Sequence, residues 1–303
     1  MLALLLQFFQ WLVIFAGDIM KILVTGATGY IGSHVCKVLF EQGHTVVGLD
    51  INFNQNDISK YCSDVINADV ITLKRFDDFD AVVHLAGLIQ VEESTKSPTK
   101  YYNTNLNGTI NICNQFKDSH IIFASTAGAF DPVSPYAKSK VAAEDVIKEL
   151  SNQYTIFRFF NVAGSDGVNK QFGPSTHLVR IAAECAVLKR NVMYIYGTDY
   201  ETRDGTCIRD YIHVVDLANA IAIAVKNGPK NTPHECIGSG TGYTVNEVID
   251  TMKQVSKVNF TVIPDDRRAG DVAILAIDNK FDGLTIQHNL EDICRSAYKA
   301  ELI

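Results

Sequence analysis

No C-x-x-C pair occurs among the seven cysteines, at 36, 62, 113, 185, 207, 236 and 294. Scattered in this way they exclude a zinc ribbon or a disulfide framework. They read instead as buried thiols in a reducing compartment, which points to the cytoplasm. The eight histidines form no H-E-x-x-H or comparable ligand spacing, so no metal site is expected. Positive charge is in deficit: 27 Lys and Arg against 34 Asp and Glu give a net charge of -7. That sign argues against nucleic acid or anionic lipid as a partner, and an anionic ligand would need locally placed arginines. Repeats, low-complexity tracts and Pro-rich linkers are missing too. What remains is an ordinary globular composition, 47% hydrophobic and 20% charged, over 303 residues. That length suffices for one large domain or two modest ones.

Residues 1–19 form an apolar N-terminal extension unlike the rest. Between Leu2 and Ala16 only Gln7 and Gln10 are polar. The run falls short of the roughly 20 residues of a spanning helix. No Lys or Arg precedes Lys21, whereas a secretory signal begins with positive charge. A membrane anchor and an upstream extension before a start at Met20 are the two readings. The extension is preferred, because the domain that follows begins at its first strand.

The organising stretch is Lys21–Gly32, KILVTGATGYIG, together with Asp50. An apolar run of strand length leads into Gly26, Gly29 and Gly32. A helix then carries Ile31, Val35, Val38 and Leu39 on one face and ends at Gly43. A second strand, Thr45–Leu49, stops at Asp50. Glycines let the backbone turn tightly against a pyrophosphate at the helix N-terminus, and the acid can accept from a ribose diol. This strand–turn–helix–strand–acid order predicts a dinucleotide site. Further strands are expected at Val65–Val70, Ala81–Ala86, His120–Ala124 and Thr155–Phe160, with helices at Thr99–Phe116 and Pro135–Leu150. The alternation implies an α/β fold of Rossmann type, a doubly wound parallel sheet, over 20–164. Residues 165–303 read as a smaller α/β substrate domain, able to lend elements back to the sheet. It includes helices Thr176–Arg190, Val214–Val225 and Val245–Lys257.

Ser134–Lys140, SPYAKSK, is the second informative stretch. Ser134 can cap a helix opening at Pro135, which puts Tyr136 and Lys140 one turn apart on one face. A free tyrosine, with pKa about 10, is a poor base at neutral pH. A nearby ammonium and a positive nicotinamide ring would favour its phenolate. Ser125 and Thr126, past the strand His120–Ala124, offer hydroxyls at the same sheet edge.

T-G-x-x-G-x-x-G at Thr25–Gly32, the hydroxyl at Thr126 and Y-x-x-x-K at Tyr136–Lys140 resemble the extended short-chain dehydrogenases/reductases. AGL at Ala86–Leu88, YYNTNLNGT at Tyr101–Thr109 and RFFNVAG at Arg158–Gly164 are similar to UDP-glucose/UDP-galactose 4-epimerases. So, nearly residue for residue, is GTDYETRDGTCIRDYIHVVDLA at Gly197–Ala218. The resemblance runs from about Met20 to Asp278. It implies tightly bound NAD, held by Gly26, Thr28, Gly29, Tyr30, Ile31, Gly32, Asp50, Asp69, Val70, Leu85, Ala86, Gly87, Asn105, Tyr136, Lys140 and Phe160. Asp50 with Ile51 favours NAD, because a carboxylate there repels a 2′-phosphate. The substrate residues implied are Thr126, Tyr136, Asn161, His177, Leu178, Tyr194, Tyr196, Arg209, Tyr211, Arg268, Asp271 and Leu275. Thr126, Tyr136 and Lys140 are the catalytic set, with no metal. Arg209 and Arg268 also make sense on charge alone, as donor forks for a diphosphate in an acidic chain.

The implied activity is interconversion of UDP-glucose and UDP-galactose through a transient 4-keto sugar. Leu275, seven residues after Arg268, is smaller than an aromatic wall, so N-acetylhexosamine forms are expected to react as well. Another nucleotide sugar, a 4,6-dehydratase and a non-catalytic sensor are the alternatives. Ala127 and Gly128 stand where a dehydratase carries Asp-Glu, and a sensor would lack Tyr136 or Lys140. Two departures stand out. Only nine residues separate Thr126 from Tyr136, shorter than in the family, though ten chain steps still reach about 33 Å. Ile89 replaces a lysine found in some members. The helices Thr99–Phe116 and Pro135–Leu150 correspond to those of a dimer interface, with Ala143, Val146, Ile147 and Leu150 as an apolar stripe. A homodimer is therefore expected.

Overall fold

The structure is a computed structural model that describes residues 19–268, 270–277 and 281–303. Expectations for residues 1–18 lie outside the described residues. Seven strands make one parallel sheet. They are β1 (Lys21–Thr25), β2 (Thr45–Asp50), β3 (Asp64–Asn67), β4 (Ala81–His84), β5 (His120–Thr126), β6 (Tyr154–Phe159) and, from much later in the chain, β10 (Glu235–Ile237). Their order is β10-β6-β5-β4-β1-β2-β3, and every pairing is parallel. β1 and β4 are buried along nearly their whole length, which is why they read as unbroken apolar runs. The chain fills the sheet outward from β1 to β3, then restarts at β4 on the other side. The switch point therefore lies between β1 and β4, where open α/β sheets bind ligands.

Helices cover both faces. α1 (Tyr30–Glu41) packs with a helix from the second half, α7 (Val214–Asn227), through Val35, Val38, Leu39, Leu217, Ala218 and Ile221. On the other face lie α2 (Val91–Lys96), α3 (Pro98–Tyr101), α4 (Gly108–Gln115) and α5 (Pro135–Leu150). The single helix expected at Thr99–Phe116 is interrupted by a π-helical turn, Tyr102–Asn107. Asn105 in that turn is drawn inward to Leu88 and Ser139, and the Thr109 hydroxyl donates to the Asn105 carbonyl at 2.6 Å.

The smaller unit holds β7 (Asn161–Ala163), β8 (Val192–Tyr196), β9 (Ile208–His213), β11 (Gly242–Thr244), β12 (Thr261–Asp265) and β13 (Ile274–Leu275). Its helices are α6 (Leu178–Ala186), α8 (Val245–Ser256) and α9 (Leu290–Leu302), which share a core of Val179, Ala183, Val248, Met252, Ile293 and Cys294. β9 is its hub, pairing with β7, β11 and β13. α6 is shorter than the expected Thr176–Arg190: His177 is its N-cap, and Leu188, at φ 60°, turns the chain away beyond it. Residues 214–237 return α7 and β10 to the large sheet, so its core draws on both halves of the chain. The apolar stripe on α5 is divided. Ala143 and Ile147 are fully buried against Phe123 and Ile156 within the chain, and Leu150 remains exposed.

Candidate active site

At the switch point a cavity of about 660 Å³ runs along the carboxyl ends of β1, β2, β4, β5 and β6. Gly26 ends β1 at φ 68°, and a Cβ there would sit 2.9 Å from the Ala86 backbone nitrogen. A Cβ on Gly32 would fall 2.1 Å from the Gly26 carbonyl oxygen. Both positions therefore require glycine for the turn and the helix to pack. Helix α1 has Gly29 as its N-cap, no side-chain cap and no acid in its first turn. The positive end of the helix dipole thus stays available to an anion. Asp50 lies on the same cavity wall, its carboxylate accepting from the Thr28 amide (3.1 Å), the Thr28 hydroxyl (2.9 Å) and the Asn52 amide (3.0 Å). A carboxylate has about four acceptor positions, so one remains for a ribose hydroxyl. Glycine cradle, uncapped helix and oriented acid fit a dinucleotide.

Gly29, Tyr30, Ile31, Asp69, Val70, Leu85, Ala86, Gly87 and Phe160 also line this cavity, with Ile89 on its rim. Thr28 and Asn105, expected among the cofactor ligands, stand one layer back instead. Thr28 is buried, and its single hydroxyl proton is shared between Asp50 and the Asn52 carbonyl. Asn105 is buried too, and grips both the amide and the carbonyl of Leu88. Neither side chain is among those that line the cavity. His84 is neutral: burial pulls its pKa to about 3, and it bridges Thr25 and Thr109 beneath the strand ends.

Thr126, Tyr136 and Lys140 converge on one wall of the cavity. Ser134 caps α5 as its spacing predicts, accepting from the Ala137 amide at 3.1 Å. The Thr126 hydroxyl accepts from the Gly128 amide at 3.2 Å and lies against Tyr136. The tyrosine differs from expectation. Burial raises its pKa, and the Thr126 side chain opposes that rise. The Lys140 ammonium donates to the Ala124 carbonyl at 2.8 Å and lies 4.6 Å from the Phe123 ring centroid. Its own pKa falls to about 8, because burial outweighs the attraction of Glu144. Ser125 is not available either, since its hydroxyl donates to the buried Glu144.

A second cavity, about 280 Å³, opens beside the first, and Tyr30, Asn161, Val162, Gln171 and His177 line both. Here stand Leu178, Tyr194, Tyr196, Arg209, Tyr211, Arg268 and Asp271. Leu275, expected with them, lines the first cavity instead, which Thr126 and Tyr136 also line. The Arg209 guanidinium is fixed by the carbonyls of Ile208 (2.9 Å) and Val272 (2.8 Å) and by Asp271 at 3.4 Å. Arg268 lies 3.7 Å above the Tyr196 ring and pairs with no carboxylate among the described residues. His177 is kept neutral by burial and by Arg180. With its Nδ1 facing the Gln171 amide nitrogen at 3.3 Å, Nε2 is left to carry the proton as a donor. Lys170, Gln171, Arg180 and Arg190 also line this cavity and were not legible in sequence, being scattered polar residues with no motif.

Known proteins share this sequence pattern and fold. The model of the NAD dependent epimerase/dehydratase family matches residues 22–236. The chain belongs to this family. A UDP-glucose 4-epimerase of Halalkalibacterium halodurans is 35% identical, over 84% of this chain and 86% of its own length. One from Lacticaseibacillus casei is also 35% identical, over 90% and 93%. Among solved structures, the UDP-glucose 4-epimerase of Bifidobacterium longum in complex with NAD+ and UDP superimposes with a TM-score of 0.85 at 26% identity, covering 93% of this chain and 98% of that one. The UDP-Glc/GlcNAc 4-epimerase of Campylobacter jejuni gives 0.77 at 34% identity, covering 93% and 99%. The match to each of these four proteins extends over 86% or more of its own length.

Proposed function

We propose that this chain is an NAD-dependent 4-epimerase of UDP-sugars, an isomerase that interconverts UDP-glucose and UDP-galactose. One observation carries the reading. The wall bearing Thr126, Tyr136 and Lys140 is continuous, through Asn161, Gln171 and His177, with a cavity holding two cavity-facing guanidinium groups, Arg209 and Arg268. A diphosphate between those arginines brings a sugar attached to it toward Tyr136. NAD, when bound, supplies the hydride acceptor and donor for C4, and a positive charge beside Tyr136 that opposes the effect of burial.

Gly26, Gly29, the α1 N-terminus, Asp50, Gly87 and Lys140 would hold the cofactor. Tyr136, directly or through Thr126, takes the proton of the sugar 4-hydroxyl and returns it to the 4-oxygen of the opposite epimer. Asn161 and the neutral His177 hold the junction between the cavities while the sugar turns about its diphosphate. Ala127 and Gly128 after Thr126 form a 3-10 turn and offer no carboxylate for dehydration. Leucine at 275 leaves room for an N-acetyl group, so the N-acetylhexosamine forms are substrates too.

The seven free cysteines suit a reducing compartment, the cytoplasm, and no helix of the described residues is long and apolar enough to cross a membrane. We further infer a homodimer formed through α4 and α5, where Leu150 is exposed. Light scattering at micromolar concentration checks it, and a monomer mass counts against it. The function is tested by incubating the protein with UDP-glucose, UDP-galactose and their N-acetyl counterparts and separating the epimers. Recovery of each UDP-sugar unchanged refutes the reading.

A further inference from the structure

Asn56 belongs to a polar loop that carries no motif, yet it is 6% exposed. Its side chain and backbone hold together two segments far apart in sequence. The Asn56 amide and its Nδ2 both donate to the Thr28 carbonyl, at 3.2 Å each, inside the glycine turn. Nδ2 also donates to the Lys170 carbonyl at 3.0 Å, and Oδ1 accepts from the Lys170 amide at 2.9 Å. The side-chain amide thus pairs with Lys170 as a second peptide strand would, satisfying both of its backbone groups.

Each tied segment has a neighbour in the cavities. Gln55, next to Asn56, lines the cofactor cavity with Gly29, Asp50, Ile51 and Asn52. Gln171, next to Lys170, lines both cavities and faces His177. Two more contacts run the same way. The Tyr30 hydroxyl donates to the Gly164 carbonyl at 2.7 Å, and Lys37 on α1 pairs with Asp166 at 2.8 Å. The segment 164–171 is thereby fastened to the glycine turn and to the helix that follows it, and Asn56 is its connection at the cavity end.

We propose that Asn56 is a positioning residue that latches the cofactor loop 51–56 to the substrate loop 168–172, so that substrate occupancy slows cofactor release. The inference rests on the NAD-dependent reading above. A UDP moiety in the second cavity orders Gln171. Through Lys170 and Asn56 that order reaches Gln55 and Thr28, on the rim over which a cofactor pyrophosphate must leave. Coupling of this kind is reciprocal: bound NAD should tighten UDP binding by the factor by which UDP slows NAD release, where association is unaffected.

The test uses the full-length protein loaded with NAD, and follows nucleotide release into a trap with and without UDP. In the wild type UDP slows release. Asn56→Asp keeps the shape and the Oδ1 acceptor but turns an oxygen toward the Thr28 and Lys170 carbonyls. It is expected to speed release about tenfold, the weight of one to two hydrogen bonds, and to abolish the effect of UDP. Asn56→Ala should do the same. Ser119→Ala, which removes a buried 2.6 Å hydrogen bond to the Phe79 carbonyl at the opposite end of the sheet, lowers Tm and leaves release unchanged. Wild-type release and UDP response in both Asn56 variants overturn the latch. Release altered as much by Ser119→Ala also overturns it, by reducing Asn56 to general stability. A wild type that binds no NAD overturns the cofactor reading itself, and the latch with it.

Discussion

Replacing Glu144 by glutamine should cost more stability than any neutral surface change, and removing both charges of its buried pair together should cost far less. Glu144 is 1% exposed and holds Arg158 through two bonds, Nε to Oε1 at 2.9 Å and Nη2 to Oε2 at 2.8 Å. The same carboxylate anchors Ser125, the residue before Thr126. Arg158 in turn lies 4.7 Å from the ring centroid of Phe130 in the turn that follows Thr126. Glu144→Gln removes the counter-charge and leaves a buried guanidinium facing an amide nitrogen. Breaking a buried pair from one side costs about 3–5 kcal/mol, and at roughly 2–3 °C per kcal/mol in a chain this long Tm falls by about 6–15 °C. Glu144→Met with Arg158→Met removes both charges at similar volume and should recover most of the loss. Calorimetry on the wild type, Glu144→Met, Arg158→Met and the double variant gives the coupling. Single effects that add within about 0.5 kcal/mol would refute the claim that these charges stabilise each other. Activity separates a second role. With Ser125 unanchored, the double variant should regain Tm but not kcat, and a wild-type kcat would show that the pair does not position Thr126.

Tyr136→Phe should abolish epimerisation and keep UDP-sugar affinity within a few-fold, because the ring remains and only the proton acceptor goes; retention of most activity would move the chemistry to Thr126. In the nucleotide-free protein Lys140 titrates from about 8 when folded to its ordinary value, about 10.4, when unfolded. The unfolded chain then binds more protons between these values, so stability rises with pH across that window. Lys140→Met should remove that rise while abolishing activity, and a wild-type pH–stability curve would contradict it. Leu275→Tyr overfills the cavity wall, typically by about 1–3 kcal/mol. It should depress kcat/KM for the N-acetylhexosamine substrates more than for the plain hexoses, and an unchanged ratio would remove Leu275 from specificity.

The first half of the fold is legible because its signals are local. β1, the glycine turn, α1 and Asp50 are contiguous, and a parallel sheet buried on both faces leaves apolar runs that stand out. Pairings made across long distances leave no such mark. β10 is three residues long and joins β6 only because α7 carries the chain back over α1. β7, β11 and β13 are only two or three residues long, and β9, though six residues long, interrupts its apolar pattern with Arg209, which faces the ligand cavity. The helix expected over Thr99–Phe116 has unbroken helical periodicity, and its π-helical turn arises from the tertiary pull of Leu88 and Ser139 on Asn105. Among site residues, Tyr136 and Lys140 announce themselves by spacing. Their electrostatics do not: burial raises the Tyr136 pKa, and the Lys140 ammonium donates to the Ala124 carbonyl on β5.

The short connection between Thr126 and Tyr136 shows how local capping can replace length. Thr126 Oγ1 caps the turn Ala127–Phe130, Ser134 Oγ caps α5 four residues later, and the chain needs no excursion between the two. Phe130 then seats on the Arg158 guanidinium and meets the His234 ring edge-on at 5.5 Å, beside β10. The connection therefore folds back toward the β6–β10 edge, and Phe130 does not line the cavity. A longer excursion would supply its own side chains to the sugar pocket. Here Leu275 and the exposed Ile89 line the cavity instead, and Leu275, smaller than an aromatic and unbranched at Cβ, supports the proposed reaction of N-acetylhexosamine forms at that wall.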